Sequence, residues 1–174
     1  PRWEILADTG ADMLACETTP SIEETHAYCR LAAVSGRPTW VSFQCRDETA
    51  IADGTPLESA AAVCDEEPNV VAVGINCTDP GLVDSLLEEA RRGTTKPLLV
   101  YPNGGEEWDA QARAWVGAAT PTDWAARAVD WYDRGAAGIG GCCRVGPSDI
   151  RVIGEALRSR SSAVSSAGSV GSRV

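Results

Sequence analysis

The sequence predicts an α/β protein built on a parallel sheet, and three observations predict it. Five short runs are nearly continuous in apolar or small residues: Asp12–Glu17, Thr39–Cys45, Val70–Cys77, Pro97–Asn103 and Gly138–Cys143. Such runs suit parallel strands buried on both faces, because a strand with one wet face alternates apolar and polar residues. Stretches of helical periodicity separate them, each opened by a start signal. The runs end at Glu17, Cys45, Cys77, Asn103 and Cys143, spacings of 28, 32, 26 and 40 residues. A unit of an eight-fold βα barrel takes roughly 31 residues.

Residues 2–10 read as the end of a helix. The first strand closes at Glu17, and the next helix starts at Thr19-Pro20 or at Ser21-Ile22-Glu23-Glu24, where a hydroxyl can accept from the first free N–H groups. Gly36 marks its stop. After the second strand, Thr55-Pro56-Leu57-Glu58 opens a helix with Pro where no N–H is required. After the third, Thr78-Asp79-Pro80 opens another, with Leu82, Val83, Leu86, Leu87 and Ala90 on one face and Gly93 at its end. Gly104 to Thr120 is a long strand-to-helix loop, which lies at the functional end of such a sheet. Thr120-Pro121-Thr122-Asp123 then starts a helix whose face carries Trp124, Ala128 and Trp131, with Gly135 beyond it. The last helix opens at Gly146-Pro147-Ser148-Asp149 and presents Ile150, Ile153 and Leu157. From Arg158 to Val174, seven of 17 residues are Ser and no period survives, so residues 158–174 are predicted to be a disordered tail beyond a domain at 1–157.

Composition excludes several functions. With 25 acidic residues against 15 basic, the 174-residue chain carries a formal charge of −10, which repels phosphate backbones and anionic lipid. Nucleic acid and membrane are therefore not expected partners. No apolar run reaches the ~18–20 residues of a membrane helix, and the first residues show no signal-peptide pattern. Seven Cys, an odd number spread along the chain, read as reduced thiols in the cytoplasm.

Spacing alone does not choose between a barrel and a doubly wound sheet, though no G-x-G-x-x-G or Walker sequence follows any strand. Either way, carboxyl ends of strands are where chemistry gathers, and Cys77, Cys142 and Cys143 lie there. Adjacent residues in a strand point to opposite faces, so the Cys142-Cys143 pair can share a partner only if the backbone leaves the pleat. Gly140 and Gly141 give that freedom. Three thiolates suit Zn²⁺ with a fourth position open; buried free thiols are the competing account. Cys16, Cys29, Cys45 and Cys64 read as packing residues, Cys45 standing apart because it ends a strand. His26, the only His, sits in a helix away from the strand tips, which argues against His base catalysis and a Ser-His-Asp triad. Glu17 at a strand end could bind a substrate ammonium or cap the following helix. Trp108 and Trp115, in or beside the long loop, could shield a ligand or pack on the surface.

Five segments in order carry a resemblance: Leu14-Ala15-Cys16-Glu17-Thr18-Thr19-Pro20, Asp53-Gly54-Thr55-Pro56-Leu57, Gly74-Ile75-Asn76-Cys77, Val100-Tyr101-Pro102-Asn103-Gly104-Gly105-Glu106 and Gly140-Gly141-Cys142-Cys143-Arg144. Together they resemble the homocysteine S-methyltransferase family from about residue 2 to 157. The resemblance implies a (βα)₈ TIM barrel, here in part: five C-terminal βα units, strands four to eight, with the first three strands missing. It implies zinc on Cys77, Cys142 and Cys143, homocysteine's amino group on Glu17, and Asn76 and Asn103 lining the site. The Tyr-Pro-Asn-Gly-Gly-Glu segment is similar to the branch using S-methylmethionine or S-adenosylmethionine. The implied activity is methyl transfer from such a sulfonium to the homocysteine thiol, giving methionine.

The family's Asp-Gly-Gly-type motif, which helps hold the amino acid, is absent with those first strands. Five strands leave two open edges, so the isolated chain is expected to self-associate. A truncated, non-catalytic fragment that still binds zinc is the alternative. A redox role for the adjacent thiols leaves Cys77 and Glu17 without a part.

Overall fold

All five apolar runs become parallel strands, and the order in which they pair decides what kind of sheet they make. The computed structural model describes residues 2–118 and 122–168. After a short helix α1 (Arg2–Ala7), the elements are β1 (Leu14–Thr19), α2 (Ile22–Ser35), β2 (Thr39–Phe43), α3 (Leu57–Glu66) and β3 (Val70–Asn76). A 3₁₀ turn (Pro80–Leu82), α4 (Val83–Gly93) and β4 (Leu98–Tyr101) follow. Next come β5 (Glu107–Asp109), β6 (Ala114–Val116), α5 (Trp124–Asp133), β7 (Ala136–Ile139) and α6 (Pro147–Gly168). The large sheet runs β1-β2-β3-β4-β7, every neighbouring pair parallel, while β5 and β6 form a separate antiparallel hairpin. The order of the main sheet never reverses. It therefore has no switch point of the doubly wound kind, and crossovers of one hand lay the helices along one face.

That face holds the core. Cys16, Val41, Phe43, Val73, Ile75, Leu98 and Val100 pack into one cluster with Ala32, Leu57, Ala61, Leu86, Leu87 and Trp131 from the helices. The opposite face is buried at the centre of the sheet, where Ser42, Ala72 and Asn76 lie on β2 and β3, so the two-sided burial that the continuous runs predict holds there but fails towards the outer strands. Ala15 and Glu17 are exposed there, and Trp40, Leu99 and Tyr101 are half-buried. Small residues explain why these runs look uniformly apolar: at Gly74 an added Cβ would lie 2.7 Å from Ser42 Cβ, and at Gly138 2.7 Å from Leu99 Cδ2.

Helix starts follow the cap signals in part. Ser21 caps α2, its hydroxyl accepting from Glu24 N–H, and Gly36 closes it in the left-handed region at φ 64°. Asp123 caps α5, whereas Thr120 and Pro121 lie outside the described residues. Thr55 does not cap α3, whose N-cap position is taken by Pro56 without a side-chain bond. Thr78 does not cap either: Asp79 does so, and the Thr78 hydroxyl instead accepts from Cys45 N–H at 2.9 Å and donates to Asn76 O at 3.0 Å.

Two further expectations change. The loop after Asn103 carries the β5–β6 hairpin, whose Asp109 carboxylate accepts from Gln111 and Ala112 N–H to make the turn. Helix α6 runs on to Gly168, into the Ser-rich stretch read as disordered. Ser159 and Ser162 turn their hydroxyls back to the Glu155 and Arg158 carbonyls, so their polar groups are met within the helix, and Arg160 pairs with Asp133 of α5. Residues 169–174 lie outside the described residues.

Candidate metal centre

Strand β3 delivers Asn76 and then stops, because Cys77 takes up φ 50°, in the left-handed region. A residue with a Cβ holds such a backbone only where its surroundings fix it. Here the Cys77 N–H donates to Tyr101 O at 3.3 Å, and the bend turns the thiol across the end of the sheet. The last strand was expected to reach Cys143, but it ends at Ile139. Beyond it the chain leaves the pleat while its backbone stays tied to the end of β4. Gly140 N–H donates to Val100 O, Cys142 N–H to Pro102 O at 2.7 Å, and Gly104 N–H to Cys143 O at 2.9 Å. At Gly141 a Cβ would collide with the Val145 side chain. Gly141 is thus needed for the room it leaves Val145, while a Cβ at Gly140 would meet Tyr101 only at an ordinary 3.6 Å, and the two adjacent cysteines come off the strand beyond them.

The thiols consequently converge. Cys77 Sγ lies 3.7 Å from Cys143 Sγ, Cys142 Sγ lies 3.9 Å from Cys143 Sγ, and all three fall within 4.8 Å of one another. Zinc–sulfur bonds of about 2.3 Å in tetrahedral array set sulfurs about 3.8 Å apart. Three half-buried soft donors at these separations fit that ion. Burial, with Cys142 and Cys143 close by, pushes the Cys77 thiol up to about 12, and burial likewise raises that of Cys143. Without a cation Cys77 and Cys143 hold their protons; a divalent ion supplies the charge that lets them ionise.

Asn76, nearly fully buried, ties this centre to β1. Its Nδ2 donates to Thr18 Oγ1 at 2.8 Å and reaches Cys142 Sγ at 4.0 Å, while its Oδ1 accepts from Thr18 N–H at 2.9 Å. Thr18 occupies a β-bulge at φ 60°, where the β1–β2 register shifts. Asn103 sits alongside, its Oδ1 accepting from Gly105 N–H at 2.8 Å. Glu17 is placed on the open sheet face, in a hollow shared with Trp40, Tyr101, Gly140 and Gly141. Tyr101 OH is 2.5 Å from Ser42 Oγ and accepts from Trp40 Nε1 at 3.0 Å. Burial carries its phenol up to about 12.

A cleft of about 540 Å³ opens at the thiol end, lined by Thr18, Cys45, Cys77, Asn103, Glu106 and the hairpin tryptophans. Trp108 and Trp115 both border it, with ring centroids 5.5 Å apart. Sequence reasoning left Glu106 and Arg144 without a role, yet Arg144 Nε donates to Glu106 Oε1 at 2.9 Å and joins the loop after β4 to the cysteine loop. Cys16, Cys29 and Cys64 lie in the core as expected, and His26 is on α2, lining a hollow with Cys29, Arg30 and Glu67.

A sequential parallel βα sheet with three thiols gathered at its carboxyl end defines an α/β protein of the TIM-barrel type. The homocysteine S-methyltransferase family model matches residues 1–157, and the chain belongs to that family. It is 42% identical over 160 residues to homocysteine S-methyltransferase YbgG of Bacillus subtilis, covering 91% of this chain and 51% of that protein. It is 38% identical to the selenocysteine Se-methyltransferase of Brassica oleracea var. italica, covering 97% and 50% respectively. Among solved structures, the metallated form of the homocysteine methyltransferase MmuM from Escherichia coli superposes with a TM-score of 0.73 at 37% identity, over 88% of this chain and 48% of that one. The chain therefore spans about half the length of the curated relatives it matches. No described helix is long and apolar enough to cross a membrane.

Proposed function

We propose that this chain forms strands four to eight of a (βα)₈ barrel and supplies the zinc end of a homocysteine methyltransferase. The donor is a sulfonium, S-methylmethionine or S-adenosylmethionine, and the product is methionine. The observation that carries this reading is the convergence of three thiols, on loops after β3 and β7, to within 4.8 Å.

Cys77, Cys142 and Cys143 would hold the ion, which when bound keeps the homocysteine sulfur as a thiolate at neutral pH. Glu17 accepts from the homocysteine ammonium, while Asn76 and Asn103 shape the pocket between it and the thiols. These groups need only bring sulfur and sulfonium methyl into line. The new S–C bond then forms as the donor's C–S bond breaks, its electron pair staying with the leaving thioether. No side chain has to move a proton in the transfer itself, which agrees with the position of His26. An odd number of cysteines spread along the chain supports a reaction in the reducing cytoplasm.

The test is metal analysis of the intact protein together with methionine formation from homocysteine and each sulfonium. Stoichiometric zinc and turnover with at least one donor are expected. Zinc without turnover on either donor overturns the enzyme and leaves a metal-binding fragment.

A further inference from the structure

Among the described residues, Glu106 alone buries a carboxylate oxygen with no hydrogen-bond partner. Its side chain is 10% exposed, and Oε1 is taken by Arg144. Oε2 lies against Gly104, where an added Cβ would sit 2.7 Å from it. A buried anionic oxygen without a donor is unfavourable unless a positive charge meets it. Glu106 lines the same cleft as Cys77, and so do Trp108 and Trp115. Trp108 is half exposed, and neither ring belongs to the hydrophobic core. An electron-rich aromatic wall in a cleft that also holds a carboxylate with one oxygen closed off from donors suits a cation that carries alkyl groups and no N–H. Alkylated cations gain from ring faces, and they ask for negative charge without asking for a hydrogen-bond acceptor of set geometry.

We infer that the cleft between the β5–β6 hairpin and Cys77 is the methyl-donor subsite, with the negative charge of the Glu106 carboxylate and the Trp108–Trp115 pair receiving the sulfonium. This rests on the proposed function and names which of its two substrates the hairpin recognises. Glu106 is thereby a specificity residue for cationic over neutral or anionic methyl carriers. Arg144 fixes it relative to Cys143, so donor and thiol centre are held by one ion pair.

The experiment is steady-state kinetics on the intact, zinc-loaded protein with S-methylmethionine and S-adenosylmethionine, comparing wild type with Glu106→Gln, Glu106→Asp and Trp108→Ala. Losing a charge-to-charge contact in Glu106→Gln should raise the donor KM about tenfold or more. Homocysteine KM and zinc content should hold, and Glu106→Asp should recover part of the loss. An unchanged donor KM overturns the inference. So does a parallel rise in homocysteine KM with zinc loss, which would mean that Glu106 only braces the cysteine loop. A wild type that turns over neither donor overturns the proposed function instead. Quenching of tryptophan fluorescence by S-methylmethionine then decides the subsite alone: quenching abolished in Trp108→Ala and weakened in Glu106→Gln upholds it, and no quenching in wild type refutes it.

Discussion

Asn76 and Thr18 are joined by two hydrogen bonds, Nδ2 to Thr18 Oγ1 at 2.8 Å and Thr18 N–H to Oδ1 at 2.9 Å, across the carboxyl ends of β3 and β1. The bond to the backbone satisfies an N–H that the bulge at Thr18 takes out of the ladder. Asn76→Ala leaves that donor and the Thr18 hydroxyl unpaired and should cost about 1–3 kcal/mol of unfolding free energy. Urea denaturation with an unchanged slope would show it. Because Nδ2 also reaches Cys142 Sγ, zinc affinity should fall by roughly 10–100-fold, the usual effect of removing a group that supports a ligand. Competition with a chelator measures this, and unaltered affinity would separate Asn76 from the metal centre.

Cys142→Ala should abolish zinc binding and methyl transfer together. Two thiols 3.7 Å apart, Cys77 and Cys143, would remain, too few to complete a soft tetrahedral set with one substrate sulfur. Metal analysis beside methionine formation checks the link. Full zinc with normal turnover in this variant would remove Cys142 from the ligand set.

Much of this was legible in the chain itself, because Val41, Phe43, Val73, Ile75, Leu98 and Val100 announce strands by burying β-branched and large apolar groups in one cluster. The three thiols were legible as residues at or just beyond strand ends, and the glycines before Cys142 as a sign that the backbone leaves the pleat there, although only Gly141 is required by close packing. What escaped notice depends on long-range pairing. The Thr18 bulge is held by Asn76, 58 residues away, so no local pattern marks it. Strands of three residues each, β5 and β6, are too short for an alternation to register, although Asp109 is a recognisable turn residue. The Ser-rich composition of α6 concealed a helix because serine hydroxyls can bond back to the preceding turn. The open sheet face was hidden by small residues that look apolar wherever they lie.

Two cysteines outside the metal-binding trio, Cys16 and Cys45, give the fold an alkaline limit. Burial lifts both thiols from 9.0 to about 12, because the folded state penalises their charged form. A raised folded value means that the folded chain holds its protons where the unfolded chain has lost them. Stability is thus complete below the unfolded value near 9 and declines as pH rises towards about 12. Urea midpoints should be level from pH 7 to 8, by the ordinary thiol range, and drop above 9.0. Cys16→Ala should flatten part of that slope, and an identical slope in the variant would show that this thiol does not titrate on unfolding.

Under the proposed function, substitution of Glu17 should separate binding of the amino acid from binding of the metal. It lies in the hollow with Tyr101 and Gly140-Gly141, immediately before the two adjacent cysteines in the chain, yet it belongs to β1 and not to the thiol trio. Glu17→Ala removes an acceptor for an ammonium group without touching a sulfur. Hydrogen bonds to charged groups contribute about 1.5–3 kcal/mol, so the homocysteine KM should rise by roughly 10–150-fold with zinc content intact. Glu17→Gln, which keeps an acceptor oxygen but no charge, should fall between the two. Kinetics at saturating donor read the change. A homocysteine KM equal to that of wild type in both variants would remove the carboxylate from the substrate and leave Glu17 only its place beside Tyr101.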